Sequence, residues 1–259
     1  MTPKRQPGGE EPRRNPAASP GAADKPTDLR DVTRLIREFS GLRPTDRVLD
    51  VACGDGALTF ELAQHCAYAA GVDLSEDMIA RAVERMVLSG LNNLTFQVGD
   101  AVHLELPDAA FTRVFCRLAL HHFSDPSLAL SEMRRVLSSP GHLILVDIVS
   151  SEDPVWRDTH NKIEKSRDPS HMAMLPPSRL RELVSDAGFS IESEQAWRTR
   201  RQFDEWTTRV AADEGAVERT RRLLKEAATR KTTDLDIAVK GKAIEFTHRL
   251  LALAAIKLG

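Results

Sequence analysis

Three carboxylates recur where a short apolar run gives way to small residues. They are Asp50 in Val48-Leu49-Asp50-Val51-Ala52-Cys53-Gly54-Asp55-Gly56, Asp73 in Gly71-Val72-Asp73-Leu74-Ser75, and Asp100 in Gly99-Asp100-Ala101. Small side chains at Ala52, Gly54 and Gly56 let a ligand approach the backbone, and Asp50 sets an acceptor beside it. A carboxylate at Asp73 can accept from both hydroxyls of a ribose, and one at Asp100 can accept from an exocyclic amine such as that of adenine. Plainer roles compete: a Gly-x-Gly turn also simply tightens the chain, and Asp73 could cap a helix beside Ser75. A pyrophosphate is served by a lysine or a glycine-rich nest, whereas Asp50 and Asp55 would repel it. Thr59 stands where the third glycine of the dinucleotide fingerprint belongs. The set suits a cationic nucleoside without phosphates.

His121 and His122, in Leu120-His121-His122-Phe123, are candidates for a general base, with His122 preferred; the pair could equally be a structural feature of its loop. His171, in Arg167-Asp168-Pro169-Ser170-His171, is a second candidate. Trp156, Trp197, Phe203 and Trp206 could wall an apolar pocket or serve as ordinary packing. Cys53, Cys66 and Cys116 show neither CxxC nor metal-ligand spacing. Buried inert thiols in a reducing compartment are expected, with no metal and a cytoplasmic location.

These residues need strands to carry them. Arg47–Val51, Tyr68–Asp73, Leu94–Val98, Arg113–Leu118 and His142–Ile148 are predicted strands. Between them lie helices with apolar stripes, one capped by Ser75 and one by Asp125 ahead of Pro126. Pro140-Gly141 is expected to turn the chain into its strand. Such alternation predicts an α/β fold with a doubly wound, mostly parallel sheet. Phe189–Trp197 and Ala243–Leu253 add two strands around a helical insertion at about 199–242, with residues 202–228 helical. That gives seven strands, the C-terminal one antiparallel at the sheet edge. Ligands of such sheets gather at the carboxyl ends of the strands, where the three carboxylates fall.

An apolar fraction of 41% can fill the core of one such domain at 259 residues. With 29% charged residues but a net charge of −2, the chain lacks the basic excess of a nucleic-acid binder. It has no apolar run long enough to span a bilayer. Residues 1–27 carry six prolines and almost no large apolar side chain, and are expected to be a disordered tail. Residues 28–259 are expected to form one domain, opening with a helix over Asp28–Phe39.

The carboxylate-bearing segments, together with Leu120-His121-His122-Phe123 and Glu132–Leu137 followed by Pro140-Gly141-His142-Leu143, resemble successive motifs of class I S-adenosylmethionine-dependent methyltransferases. The resemblance is to the small-molecule type around the ubiquinone/menaquinone C-methyltransferases, covers about residues 30–198, and is specific because the motifs occur in order. It implies S-adenosyl-L-methionine as cofactor and a Rossmann-like methyltransferase fold. Asp50, Ala52, Gly54 and Gly56 would then face the methionine and sulfonium end, with Arg117 at the end of the next central strand. Asp73 would hold the ribose, Leu74 and Met78 would pack on adenine, and Asp100 and Ala101 would meet its amine edge. Ala52 departs from the glycine of many relatives but is shared with the quinone enzymes, and Ser139-Pro140-Gly141 replaces a usual Pro-Gly-Gly. Relatives often place an aromatic-bearing N-terminal helix over the cofactor; here Phe39 is the only aromatic, which implies a shortened lid.

Cys116-Arg117-Leu118-Ala119-Leu120 lacks the Asn/Asp-Pro-Pro-aromatic signature of DNA amino methyltransferases and the carboxylate pair of magnesium-dependent catechol enzymes. No double-glutamate loop of the protein-arginine type is present. A small-molecule acceptor, methylated on carbon or oxygen, is therefore expected, without nucleic-acid or membrane partners. The alternatives are a nicotinamide oxidoreductase, disfavoured by Thr59, and a cofactor-binding assembly partner with little transferase activity.

Overall fold

The protein is described by a computed structural model over residues 37–208, 210 and 213–259. The proline-rich tail, the proposed lid and all of the first helix before Arg37 lie outside those residues.

Val48–Val51 of β1 (Arg47–Val51) are buried without alternation, as a strand covered on both faces requires. β1 leads through Gly56 into α1 (Ala57–Ala63), and β2 (Tyr68–Asp73) leads into α2 (Glu76–Ser89). Ser75 caps α2 by accepting from the Met78 N–H at 3.3 Å, and Gly90 ends it at φ 70°. β3 (Leu94–Val98) and β4 (Phe111–Arg117) follow, then a single 3₁₀ turn at Leu120–His122. α3 (Pro126–Val136) is capped by Asp125 and runs directly into β5 (Leu137–Val149). The expected turn at Pro140-Gly141 is instead inside β5, where pairing with β4 slips between Phe111 and Arg113. α4 (Pro154–Arg167) and α5 (Pro177–Asp186) precede β6 (Phe189–Gln202).

The helical stretch expected over 202–228 is two helices, α6 (Phe203–Thr207) and α7 (Glu214–Arg230). Asp213 opens α7 by accepting from the Ala216 N–H at 2.7 Å. β7 (Ala238–Lys240) and β8 (Ala243–Lys257) end the fold.

The sheet runs β3-β2-β1-β4-β5-β8-β6, parallel through β5, with β8 antiparallel to both its neighbours β5 and β6. Chain order reverses between β1 and β4, which makes that junction the topological switch point. The short β7, unforeseen in the sequence, pairs with β8 and brings the count to eight. The C-terminal strand is antiparallel as expected but sits one place in from the edge. Burial explains the order: Leu250–Ala255 of β8 is apolar and covered on both faces. β6 is largely exposed and rich in arginine, which suits an edge.

Two apolar layers flank the sheet, one with Leu49, Val51, Val114, Met133 and Leu183, the other with Val48, Leu58, Leu62 and Phe115. A third core, with Ile163, Phe203, Trp206, Leu224 and Phe246, lies apart under α4, α6 and α7. Among the described residues no helix is long and apolar enough to cross a membrane.

Candidate active site

At the carboxyl ends of β1, β2, β3 and β4 the chain leaves a cavity of about 830 Å³. Of the residues singled out from sequence, Ala52, Gly54, Asp73, Leu74, Met78, Asp100, Ala101 and His122 line it. Asp73, the last residue of β2, is held in place by its neighbours. Its Oδ2 accepts from the Gly54 N–H at 2.7 Å and its Oδ1 from the Ser75 N–H at 2.9 Å. Capping and ligand roles are thus compatible, since each oxygen keeps acceptor capacity. Asp100 accepts from the Val102 N–H at 3.1 Å and stays exposed. Leu74, 71% exposed, and Met78 leave large apolar surface uncovered beside these carboxylates. Apolar walls with a few fixed acceptors make a slot for a heteroaromatic base and its sugar.

The backbone around the cavity is unusual. Ala52 and Leu118, both lining it, have φ of 57° and 55°. That left-handed region favours glycine, so two side-chain-bearing residues hold costly conformations at the site. Gly54 shares it at φ 57°, and a Cβ there would meet nothing within 4 Å, leaving open space for a close approach.

Four expected site residues do not line the cavity. Asp50 lies within β1, where both faces are covered, and is 2% exposed. It accepts from Thr59 Oγ1 at 2.7 Å, and burial pushes its carboxyl up to about 6 against the pull of that bond. Thr59, which breaks the dinucleotide pattern, is therefore the donor that Asp50 needs. Gly56 serves packing: a Cβ there would strike the Phe96 ring at 2.6 Å. Arg117 is half-buried in the field of Asp50 and Asp55, and burial lowers its pKa against their attraction.

His121, the fourth, is buried. Its Nδ1 lies 2.5 Å from Asp147 Oδ1, and its backbone N–H donates to Oδ2 at 3.0 Å. Burial works to lower its pKa, but the Asp147 carboxylate raises it overall; buried and committed to Asp147 through Nδ1, the ring is badly placed to act as a base in the cavity. Its carbonyl accepts from the Met172 and Ala173 N–H groups, tying the loop after α4 to this turn.

His122 differs in every respect. It borders the cavity, and burial together with the neighbouring His121 keeps its pKa below the ordinary value, which favours a neutral imidazole at neutral pH. Nδ1 lies 3.0 Å from Ser170 Oγ, which donates to Asp168 Oδ1 at 2.6 Å. Asp168 and Ser170 also line the cavity and were missed from sequence, although they belong to the Arg167–His171 stretch. His171 itself is buried against Asn161 Oδ1 at 2.8 Å, pressed by burial down to about 4, and lines no part of the cavity.

None of the expected aromatic walls reaches the site. Phe203 and Trp206 belong to the third core, Trp197 packs near Leu250, and Trp156 sits half-buried in the first turn of α4. The apolar wall is Leu74, Met78, Val102, Leu118 and Phe123. All three cysteines are free and buried, and burial raises their pKa values, so they are inert thiols. Among the described residues no His/Cys/Asp/Glu group is placed to hold a metal.

Among the described residues no lysine or arginine lines the cavity, while Asp73, Asp100 and Asp168 do. This charge admits a sulfonium nucleoside and disfavours a pyrophosphate, so the residues fit S-adenosylmethionine better than a dinucleotide.

A family model described as a methyltransferase domain matches residues 42–211. The chain belongs to that family. It is 30% identical over 225 residues to the uncharacterized methyltransferase YcgJ of Bacillus subtilis, covering 86% of this chain and 89% of that protein. The crystal structure of YcgJ superposes with a TM-score of 0.83 at 29% identity, over 89% of this chain and 99% of that one. A 27-O-demethylrifamycin SV methyltransferase of Amycolatopsis mediterranei is 27% identical over 62% of this chain and 61% of that protein. The ubiquinone/menaquinone C-methyltransferase of Teredinibacter turnerae is 31% identical over 54% and 55%. The chain is a class I methyltransferase, and its cofactor is S-adenosylmethionine.

Proposed function

We propose that this methyltransferase acts on a small, uncharged acceptor that loses a proton on methylation, and that His122 takes that proton. The observation that carries this reading is the neutral His122 facing the same cavity as Asp73 and Asp100. Bound S-adenosylmethionine supplies an electrophilic methyl group. Asp73 would hold the ribose, Leu74 and Met78 the adenine, and Asp100 with Ala101 its amine edge. Ala52 and Gly54 would leave room for the methionine and sulfonium.

Positioning alone can drive an in-line methyl displacement, so a base is useful only when the nucleophile is protonated. A phenol, enol or similar O–H or C–H acid meets that condition, on oxygen or carbon. Negatively charged acceptors fit poorly, because among the described residues the lining carries carboxylates and no lysine or arginine. One relative is named as a 27-O-demethylrifamycin SV methyltransferase and another as a ubiquinone/menaquinone biosynthesis C-methyltransferase, which supports a small-molecule acceptor on oxygen or carbon.

Calorimetry and an acceptor screen test the reading. Asp73→Ala should weaken S-adenosylmethionine binding at least about tenfold, as expected for a lost charge-assisted hydrogen bond. Against a panel of phenols and enols, S-adenosylhomocysteine release should fall about 10²-fold or more in His122→Gln with donor affinity kept. Unchanged donor affinity in Asp73→Ala, or full turnover in His122→Gln, overturns the corresponding part.

A further inference from the structure

We infer that Asp168 and Ser170 are positioning residues that hold His122 as its Nδ1–H tautomer, so that the lone pair on Nε2 is what the cavity meets. This deepens the reading of His122 as proton acceptor and rests on it for its functional meaning, while the tautomer itself is measurable without any acceptor.

The geometry follows from counting protons. Asp168 Oδ1 accepts from the Ser170 N–H at 2.9 Å and from Ser170 Oγ at 2.6 Å. A hydroxyl has one proton, and here the carboxylate takes it; only lone pairs are left to face His122 Nδ1 at 3.0 Å. Nδ1 must therefore donate. The opposite arrangement, with Ser170 donating to the imidazole, would set two acceptor oxygens 2.6 Å apart with no proton between them. Asp168 stays ionised, since the two bonds from Ser170 outweigh its burial and keep its pKa low.

The surroundings make this a held arrangement. Asp168 ends α4, its backbone N–H donating to the Glu164 carbonyl at 2.8 Å, and its Oδ2 lies 3.9 Å from Arg167 Nη2. His122 is fixed by its own N–H to the Ala119 carbonyl at 2.9 Å. With Nδ1 engaged, Nε2 is the ring nitrogen for which no side-chain hydrogen bond is found among the described residues. The bond made at one nitrogen of a neutral imidazole sets the state of the other. Neutral imidazole in water favours the proton on Nε2, the wrong nitrogen for a base that acts through Nε2. Asp168 and Ser170 reverse that preference. The neighbouring His121 cannot substitute, because its Nδ1 is committed to Asp147.

Long-range ¹H–¹⁵N correlation spectra of the full chain labelled with ¹⁵N-histidine, at slightly alkaline pH and without ligands, test this. The His122 signals are those that vanish in His122→Gln. The wild-type ring should show the Nδ1–H pattern. Ser170→Ala and Asp168→Ala should each shift most of the population to Nε2–H, while Ser170→Thr should restore Nδ1–H. A wild-type ring in the Nε2–H form, or an Nδ1–H form that persists in both alanine variants, overturns the inference. The wild-type spectrum is decisive even if a variant fails to fold. Full turnover in His122→Gln would instead sink the base reading and leave the tautomer assignment intact.

Discussion

At the carboxyl ends of the parallel strands, polar groups are fixed but left available; around α4 and the β6–β8 ribbon they are turned on one another as buried ion pairs, although Glu164 Oε1, Arg167 Nε and His160 Nδ1 there make no hydrogen bond of good geometry. Asp73 takes two backbone N–H groups and still faces the cavity. Glu164, on α4, is buried, with Oε1 2.9 Å from His248 Nε2 and Oε2 3.2 Å from Arg167 Nη2. Burial opposes its ionisation, but the close contact with His248 and the guanidinium of Arg167 hold it down to about 2. Arg167 also lies 4.4 Å over the Trp206 ring and donates to the Trp206 carbonyl. Next to it, His160 Nε2 bonds Thr233 Oγ1 at 2.8 Å, and Asp234 pairs with Arg249. A carboxylate can therefore be equally well ordered in both places and mean different things. What separates ligand binding from scaffolding is whether its last acceptor sites face a cavity or another side chain.

The largest expected break in that contrast is Glu164→Ala. It leaves His248 and Arg167 in a buried setting without their common anion, a loss of about 3–5 kcal/mol for a broken buried pair. Denaturant unfolding should show it, and Glu164→Gln, which keeps an acceptor, should lose less. Calorimetry on the folded fraction should find S-adenosylmethionine affinity unchanged, the reverse of Asp73→Ala. A stability loss under about 1 kcal/mol in Glu164→Ala would mean the ribbon network is not holding the third core.

How much of this contrast the sequence discloses depends on distance along the chain. Asp73 and Asp100 are legible because strand ends are local: an apolar run stops, a carboxylate follows, and small residues flank it. Asp50 misleads because it looks the same in one dimension, yet it lies inside β1 and must find its donor within the protein. That donor, Thr59, is nine residues on, in the first turn of α1, and could have been suspected. His121 and His122 are adjacent and indistinguishable by type; the 3₁₀ turn sends one ring to Asp147 and the other to Ser170. Both partners come from later in the chain, so no spacing rule reveals them. The same holds for Glu164 and His248, which meet only because β8 inserts between β5 and β6.

A smaller effect should separate the regions by pH. His160 is 2% exposed, and burial presses it down to about 4 from an ordinary 6.5. Between those values the unfolded chain binds the extra proton, so its share of stability is complete above 6.5 and is lost as pH falls toward 4. That share is on the order of 3 kcal/mol. His171, also pressed down to about 4, acts in the same direction. His121 acts in the other: Asp147 raises its pKa, so its contribution is present below the ordinary 6.5 and fades as pH rises through the folded value. Urea unfolding across this range should show stability falling toward pH 4, and His160→Gln should flatten the slope. An unchanged slope would mean that His160 is protonated in the folded protein.

The finest test concerns Asp50, the carboxylate whose sequence context resembles the ligand-facing pair but whose structural setting resembles Glu164. Thr59→Val keeps the shape of the side chain and removes the hydroxyl that donates to Asp50 at 2.7 Å. An unmade buried bond of this kind costs about 1–2 kcal/mol. Burial already holds Asp50 at about 6, and the Thr59 bond pulls against it; without that bond the carboxyl should titrate higher still and carry less charge at neutral pH. A less charged Asp50 also weakens an attraction on Arg117, whose pKa should fall further. Because neither residue lines the cavity, donor affinity in Thr59→Val should stay within about twofold, a difference below 0.5 kcal/mol. A loss of affinity as large as that in Asp73→Ala would move Asp50 from the scaffold to the ligand site.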